Sequence, residues 1–268
     1  MRAFLVATAL CLSLSYMADA QAQAQAPAQP SGALGPDWKV RLGGGAAYLP
    51  KYEGADEFKL AFIPVINVSY RDLVFVDGSR RAIGVNVLRS GPLRVGPMLR
   101  HRAGREEGDS NKLRGTGDIN SSFELGAFAE VAINENFMVG VDATQDITNE
   151  HEGFVAAVRA RYTMPFSPRM RATINGGFTW ASDSYMKTYF GISTLQANRS
   201  GLTVFTAQAD VKDINFVASL GYDITANVDL TGFVGYKRML GDAKNSPIVN
   251  QRGDENNYMF GATVAYKF

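Results

Sequence analysis

A two-residue alternation of apolar and polar side chains, recurring from Trp38 to the last residue, constrains this chain more than any other feature. It is clearest at the end. In residues 258–268 the even positions Tyr258, Phe260, Ala262, Val264, Tyr266 and Phe268 are apolar or aromatic, while Gly261, Thr263 and Lys267 stand between them with only Met259 and Ala265 apolar. Successive side chains of a strand point to opposite faces, so this segment meets a greasy medium on one face and a wet one on the other. Met170, Ala172, Ile174, Gly176, Phe178 and Trp180 repeat the pattern against Arg171, Thr173, Asn175, Gly177 and Thr179. Such segments run to about 9–11 residues, the length a tilted strand needs to cross a bilayer.

The pattern predicts strands over residues 38–48, 59–70, 73–79, 82–89, 93–102, 118–131, 137–146, 153–163, 170–180, 214–223, 228–238 and 258–268. That is about twelve, the even kind of number that bacterial outer-membrane barrels use. The connections alternate in length. Short links at Arg71-Asp72, Ser90-Gly91-Pro92, Asn134-Glu135-Asn136, 164–169 and 223–227 fall on one side, and the longer segments 103–117, 181–213 and 239–257 on the other. Barrels place short turns in the periplasm and long loops outside. The expected fold is therefore all-β, a transmembrane antiparallel up-and-down barrel with both termini periplasmic.

A soluble sandwich also alternates, so three further features decide. Aromatics cluster near strand ends (Trp38, Tyr70, Tyr162, Trp180, Tyr236, Phe268), as interfacial girdles do. The polar face carries ionisable residues in mid-strand. The chain also begins as an exported one: Arg2, an apolar run from Phe4 to Met17 and Ala18-Asp19-Ala20 form a signal peptide over residues 1–20. Residues 21–37, rich in Gln, Ala and Pro, read as a flexible arm before the barrel at 38–268. The single cysteine, Cys11, lies within the signal, so the mature chain has no thiol for staples, zinc or catalysis.

Charges on the polar face alternate in sign between neighbouring strands: Arg94, Arg100 and Arg102, then Glu124 and Glu130, then Asp142, then Arg159 and Arg161. Arg or Lys facing lipid at the midplane would cost about 2–4 kcal/mol each, so these residues are assigned to the lumen as a charge ladder that fills a narrow barrel. Net charge is +1, with 27 basic and 26 acidic residues and no basic patch, which leaves no case for nucleic acid. His101 and His151 lack any nucleophile motif around them, and no metal or cofactor motif is present. Glu106, Glu107, Asp109 and Asp118 are read as solvated loop acids. The chain is expected not to be an enzyme and to need no cofactor. The aromatic ending Val264, Tyr266, Phe268 resembles the class signal read by the barrel assembly machinery, and the surrounding partners are outer-membrane lipid and lipopolysaccharide.

Several segments resemble the MipA/OmpV family of outer-membrane proteins, from about Trp38 to Phe268. They are Pro50-Lys51-Tyr52-Glu53-Gly54, then Arg81-Ala82-Ile83-Gly84-Val85-Asn86, Tyr189-Phe190-Gly191-Ile192-Ser193, Gly221-Tyr222, and Leu240-Gly241-Asp242-Ala243-Lys244-Asn245-Ser246-Pro247-Ile248-Val249. At Ala82 the family more often has glycine. The resemblance implies a barrel of the Gram-negative outer membrane tied to the murein-synthesis machinery, a scaffold joining a lytic transglycosylase to a penicillin-binding protein. It supplies no catalytic residues, and the motif positions Pro50, Tyr52, Gly54, Tyr189, Phe190, Gly191, Gly241, Asp242, Ser246 and Pro247 fall in loops. Two other functions stay open: a narrow porin-like channel through the charged lumen, and a surface adhesin acting through the long loops. An open or an occluded interior separates transport from scaffolding.

Overall fold

The computed structural model describes residues 35–268. The expected signal peptide, 1–20, and most of the 21–37 arm lie outside the described residues. Thirteen strand segments follow one another: β1 (Trp38–Pro50), β2 (Phe58–Tyr70), β3 (Val74–Asp77), β4 (Ala82–Val85), β5 (Leu88–Ser90), β6 (Leu93–Arg102), β7 (Ser122–Ala132), β8 (Phe137–Asp146), β9 (Phe154–Ser167), β10 (Met170–Ala181), β11 (Asp210–Asp223), β12 (Val228–Met239) and β13 (Asn256–Lys267). Each pairs antiparallel with the next, β1 closes on β13, and β4 closes on β6. The exception to pairing with the next is β4, which does not pair with β5: both pair with β6, interrupted only at Asn86-Val87, so they form one kinked strand of a closed twelve-stranded up-and-down barrel.

The alternation maps onto the wall. Leu60 is 73% exposed and Val234 60%, whereas their in-strand neighbours Ala61 and Phe233 are buried in the lumen. An apolar surface this continuous is untenable in water and is what hydrocarbon requires. No helix among the described residues is long and apolar enough to cross a membrane; the apolar outer face of the strands is what suits hydrocarbon. Two aromatic belts mark its edges. Trp38 lies 4.7 Å from Tyr70 and Tyr266 4.8 Å from Phe268 at the end with the short turns; Tyr48 stacks at 5.5 Å on Phe58, and Tyr236 lies 5.3 Å from Tyr258, at the other. Those two ends are called the turn end and the loop end below.

Local chemistry explains the seam and the turns. At Gly43 and Gly45 a β-carbon would fall 2.0 Å from the carbonyl oxygens of Val264 and Ala262, so only glycine lets β1 approach β13. Arg71 and Asp72 both adopt φ 51°, the left-handed conformation that tight hairpins demand.

The wall is uneven. β3 and β4 have four residues each, so β2 climbs past their hairpin and Phe58–Ile66 has no paired strand on that flank among the described residues. Pro64 sits in this stretch, where a missing amide donor is tolerated. The gap is spanned by segment 103–121: Ser110 Oγ donates to Glu57, Lys112 pairs with Asp56, and Lys59 Nζ lies 3.5 Å from Asp109.

Three expected boundaries shift. The fourth strand breaks at Asn86, whose amide turns back to the Leu73 carbonyl at 2.7 Å. The strand expected from 118 starts at Ser122, because Ile119 bridges back to Arg105 instead. The strand expected from 214 starts at Asp210, carried over a bulge opposite Thr179/Trp180. The long loops also contain helices that two-residue periodicity does not reveal: α1 (Asp183–Phe190), α2 (Thr194–Ser200), α3 (Gly241–Asn245) and α4 (Pro247–Asn250).

Candidate functional site

The loop end is closed by a packed cap. In α1 the order of residues puts Tyr185, Met186, Tyr189 and Phe190 on one face, at positions i, i+1, i+4 and i+5. All four are buried, against Val155 and Met239 of the wall and Ala243 and Val249 of the last loop. α2 starts at a capping box between Ser193 and Gln196 and stops at Gly201, φ 74°. A second apolar cluster joins Tyr52, Leu113, Ile192, Leu202 and Ile248, so the β1–β2 connection and the three long loops share one core.

The motif residues gather in this cap. Gly54 takes φ 84°, where a β-carbon would also strike Val249 at 2.5 Å, and its amide donates to Asn257 Oδ1 at 2.8 Å. Gly191 ends α1. Tyr189 OH donates to the Ala103 carbonyl at 3.1 Å, and Arg105 Nη1 donates to the Tyr189 carbonyl at 2.7 Å. Ser246 Oγ donates to the Phe190 carbonyl at 2.6 Å, and Pro247 opens α4. Asp242 accepts from the Gln208 amide at 2.8 Å, and Gly241 takes φ 47°. Pro50 terminates β1. Burial pushes the Tyr52 hydroxyl up to about 12 and raises Tyr185 and Tyr189 as well, so all three stay protonated and neutral.

Beneath the cap lies charge. Glu53, from the β1–β2 connection, reaches down so that its Oε1 accepts from Lys212 Nζ at 2.9 Å and Lys237 Nζ at 2.7 Å, with Asp213 Oδ2 2.5 Å from Lys212. Lys212 and Asp213 are wholly buried, and Lys237 is 1% exposed. Across the lumen Arg102 grips Glu124 with two guanidinium nitrogens, Nη2 at 2.9 Å, while its carbon centre lies 5.0 Å from the Tyr185 ring. Thr144 Oγ1 donates to Glu124 Oε2 at 2.6 Å. Lower still, Asp142 is held by Arg100 at 2.6 Å and Arg159 at 2.8 Å, and Glu130 pairs with Arg80 and lies 3.7 Å from Arg159. Arg161 Nε donates to Asn175 Oδ1 at 2.9 Å. Arg94 shares the inward phase at the turn end of β6, in register opposite Glu130.

Glu53, Arg80, Lys212 and Asp213 were not singled out from the sequence. Lys237 sits on the polar phase of its strand and was readable as inward; Lys212 and Asp213 precede the expected strand start, which hid their phase. His151 stands between Glu150 and Glu152 in the sequence, yet it is 3% exposed. Its Nδ1 accepts from the Gly153 amide at 3.0 Å, so Nε2 carries the proton and donates to Glu124 at 3.2 Å. A ring bonded in this way has no free nitrogen to act as a base. His101 lies on the outward phase against Phe123, ring centroids 5.4 Å apart. The loop acids are structural too: Glu107 accepts from the Gly115 and Gly117 amides at 3.0 Å each, and Asp118 from the Glu107 amide at 2.7 Å.

One half of the lumen is apolar, filled by Ala47, Leu49, Ile63, Val217, Phe233 and Met259. At the turn end the inward residues are wetter, with Arg171 near Asp223 at 3.3 Å and Lys267 2.6 Å from the same carboxylate.

The arrangement has counterparts. The chain is 26% identical over 163 residues to the outer membrane protein Omp26La of Vibrio anguillarum, a match covering 61% of this chain and 61% of that protein. Among solved structures it is similar to an outer-membrane channel of Pseudomonas putida F1 (13% identity, TM-score 0.45, 92% of this chain and 100% of that one) and to the NanC porin (9%, 0.42, 86% and 100%). The sequence profile of the MltA-interacting protein MipA family matches residues 42–268. With the lipid-facing wall of an outer-membrane β-barrel, the chain belongs to the MltA-interacting protein MipA family.

Proposed function

We propose that this protein is a non-enzymatic, occluded barrel that serves as an interaction or scaffold protein for murein synthesis and remodelling, with its turn end in the periplasm. The carrying observation is the cap. Among the described residues the loop end is packed by an apolar core around Tyr185, Phe190 and Ile248, which favours holding partners over passing solutes. The family's name points to a murein lytic transglycosylase as one partner class, and a penicillin-binding protein is the second. The turns after β2, β5, β7, β9 and β11, together with the N-terminal arm, are the surfaces offered to them. Val264, Tyr266 and Phe268 on the lipid phase of β13 are the address read during assembly.

Affinity purification of the tagged protein from crosslinked cells tests this reading. It expects a murein hydrolase or synthase to be recovered; recovery of neither overturns it. Planar-bilayer recording of folded protein addresses the channel alternative: the scaffold reading expects silence, and a steady discrete conductance would favour a pore.

A further inference from the structure

The turn-end rim between the β2–β3 turn and β5 carries a cation that no acid of the chain answers. Arg89 is exposed, and its one hydrogen bond runs from Nη1 to the Arg71 carbonyl at 2.8 Å; no carboxylate partners it among the described residues. Two acids of this rim are taken, Asp37 by Arg71 at 2.9 Å and Asp72 by Lys39 at 3.0 Å. We propose that Arg89 holds the phosphate of an anionic phospholipid whose acyl chains lie on the wall beside Val87. The inference takes only the leaflet from the proposed orientation and does not depend on the murein reading.

Three observations carry it. The first is depth. Arg89 is anchored on the residue that follows Tyr70, and the Arg71 guanidinium carbon lies 5.3 Å from the Tyr70 ring. Tyr70 and Trp38 belong to the turn-end aromatic belt, the level at which lipid headgroups lie. An arginine there meets phosphates, and its planar fork matches them. The second is direction. Arg89 follows the inward phase of Arg94, its register partner, yet its side chain reaches sideways to the β2–β3 turn, so the guanidinium sits on the rim of the wall. Like charges directly opposite one another on a sheet are destabilising, and an anion held by Arg89 relieves that repulsion. The third is the wall on the membrane side of this group. Val87 is 71% exposed, and Leu73, Val74 and Leu88 are exposed near it. They meet where the strand breaks. Val85 pairs with Val74, while the Asn86 amide and side chain turn back to the Leu73 and Asp72 carbonyls, at 2.7 Å each. Gly96 makes room for the break, since a β-carbon there would overlap the Val85 carbonyl oxygen. The rim thus sets a phosphate-binding group beside a step of apolar surface, as the two halves of a phospholipid require.

Native mass spectrometry of folded full-length protein in detergent micelles tests the site with phosphatidylglycerol, phosphatidylcholine and lipid A, each added at the same concentration. Phosphatidylglycerol should be retained in preference to phosphatidylcholine, whose choline cation cancels the charge of its phosphate. Arg89→Gln should weaken that retention about fivefold. Arg238→Gln, at the loop end, should leave it unchanged. The gel-mobility change on boiling verifies that both variants fold. Equal retention of phosphatidylglycerol and phosphatidylcholine, or unchanged retention in folded Arg89→Gln, overturns the proposal. So does an equal loss in Arg238→Gln, or Arg89-dependent retention of lipid A that exceeds that of phosphatidylglycerol.

Discussion

Glu53 is the single side chain on which closure of the loop end should depend most. It is the carboxylate that reaches from the β1–β2 connection to two buried lysines, at 2.9 and 2.7 Å. Glu53→Gln keeps the shape but removes the charge, taking from Lys212 and Lys237 the carboxylate they share beside Asp213. Stripping one partner from a buried ion pair costs about 3–5 kcal/mol. At about 1.4 kcal/mol per decade, the balance between closed and open cap shifts by roughly two to three and a half orders of magnitude. The wild-type barrel should be silent in planar-bilayer recording and resistant to protease in loop 182–209. The variant should show intermittent conductance and be cut there. Glu53→Gln combined with Lys212→Met removes one of the stranded charges and should recover part of the loss, which a double-mutant cycle measures. A variant as silent and as resistant as wild type would refute the latch, because a cap held by its apolar core alone would not sense the missing charge.

Phe190→Ala hollows the cap core, where Phe190 is 1% exposed; a loss of about 3–5 kcal/mol should appear as faster proteolysis of the loops while the barrel retains its heat-modifiable mobility. Val234→Arg, on the lipid face of β12, should lower folding stability in bilayers by about 2–4 kcal/mol, measured by urea titration in vesicles, and an unchanged midpoint would contradict the assigned phase. The tether between loop 103–121 and the β1–β2 connection should be acid-sensitive. The hydrogen bond from Ser110 is the main reason the Glu57 carboxyl lies below its ordinary value of 4.5. A depressed folded value means the contribution is complete above 4.5 and lost as pH falls through the lower one, so amide exchange in 103–121 should accelerate only below about pH 4.5, and Ser110→Ala should weaken that dependence, with Lys51 and Lys112 still lowering the carboxyl.

The wall was legible because lipid allows few alternatives: with no water to satisfy backbone groups, strands pair with their neighbours and keep one face apolar, and that rule is written into the opposite faces of Phe260 and Thr263, three residues apart. The cap was not. α1 and α2 are eight and seven residues long, too short to hold themselves together, and they exist because Tyr185 and Phe190 find apolar partners on other loops. The latch was equally hidden: Glu53 meets Lys212 and Lys237 across 159 and 184 residues of chain. His151 misled for the same reason. Its neighbours Glu150 and Glu152 suggest a solvated loop, but its partner Glu124 is on another strand.

Position of the motif residues at first conflicts with a periplasmic role, since they occupy the loops on the far side. Their contacts remove the conflict. Gly54 makes room for Val249, Ser246 ties α4 to Phe190, and Tyr189 ties α1 to segment 103–121; each fastens one loop to another and none projects outward as a recognition group. Residues used this way close a vessel. With the loop end packed by the cap and part of the lumen filled by Phe233, Met259 and their neighbours, the described residues leave the end marked by Arg171, Asp223 and Lys267 as the more polar approach to the interior. On the proposed orientation that approach is from the periplasm, where the cell wall and its enzymes are, so the cap and a periplasmic role describe opposite ends of one design.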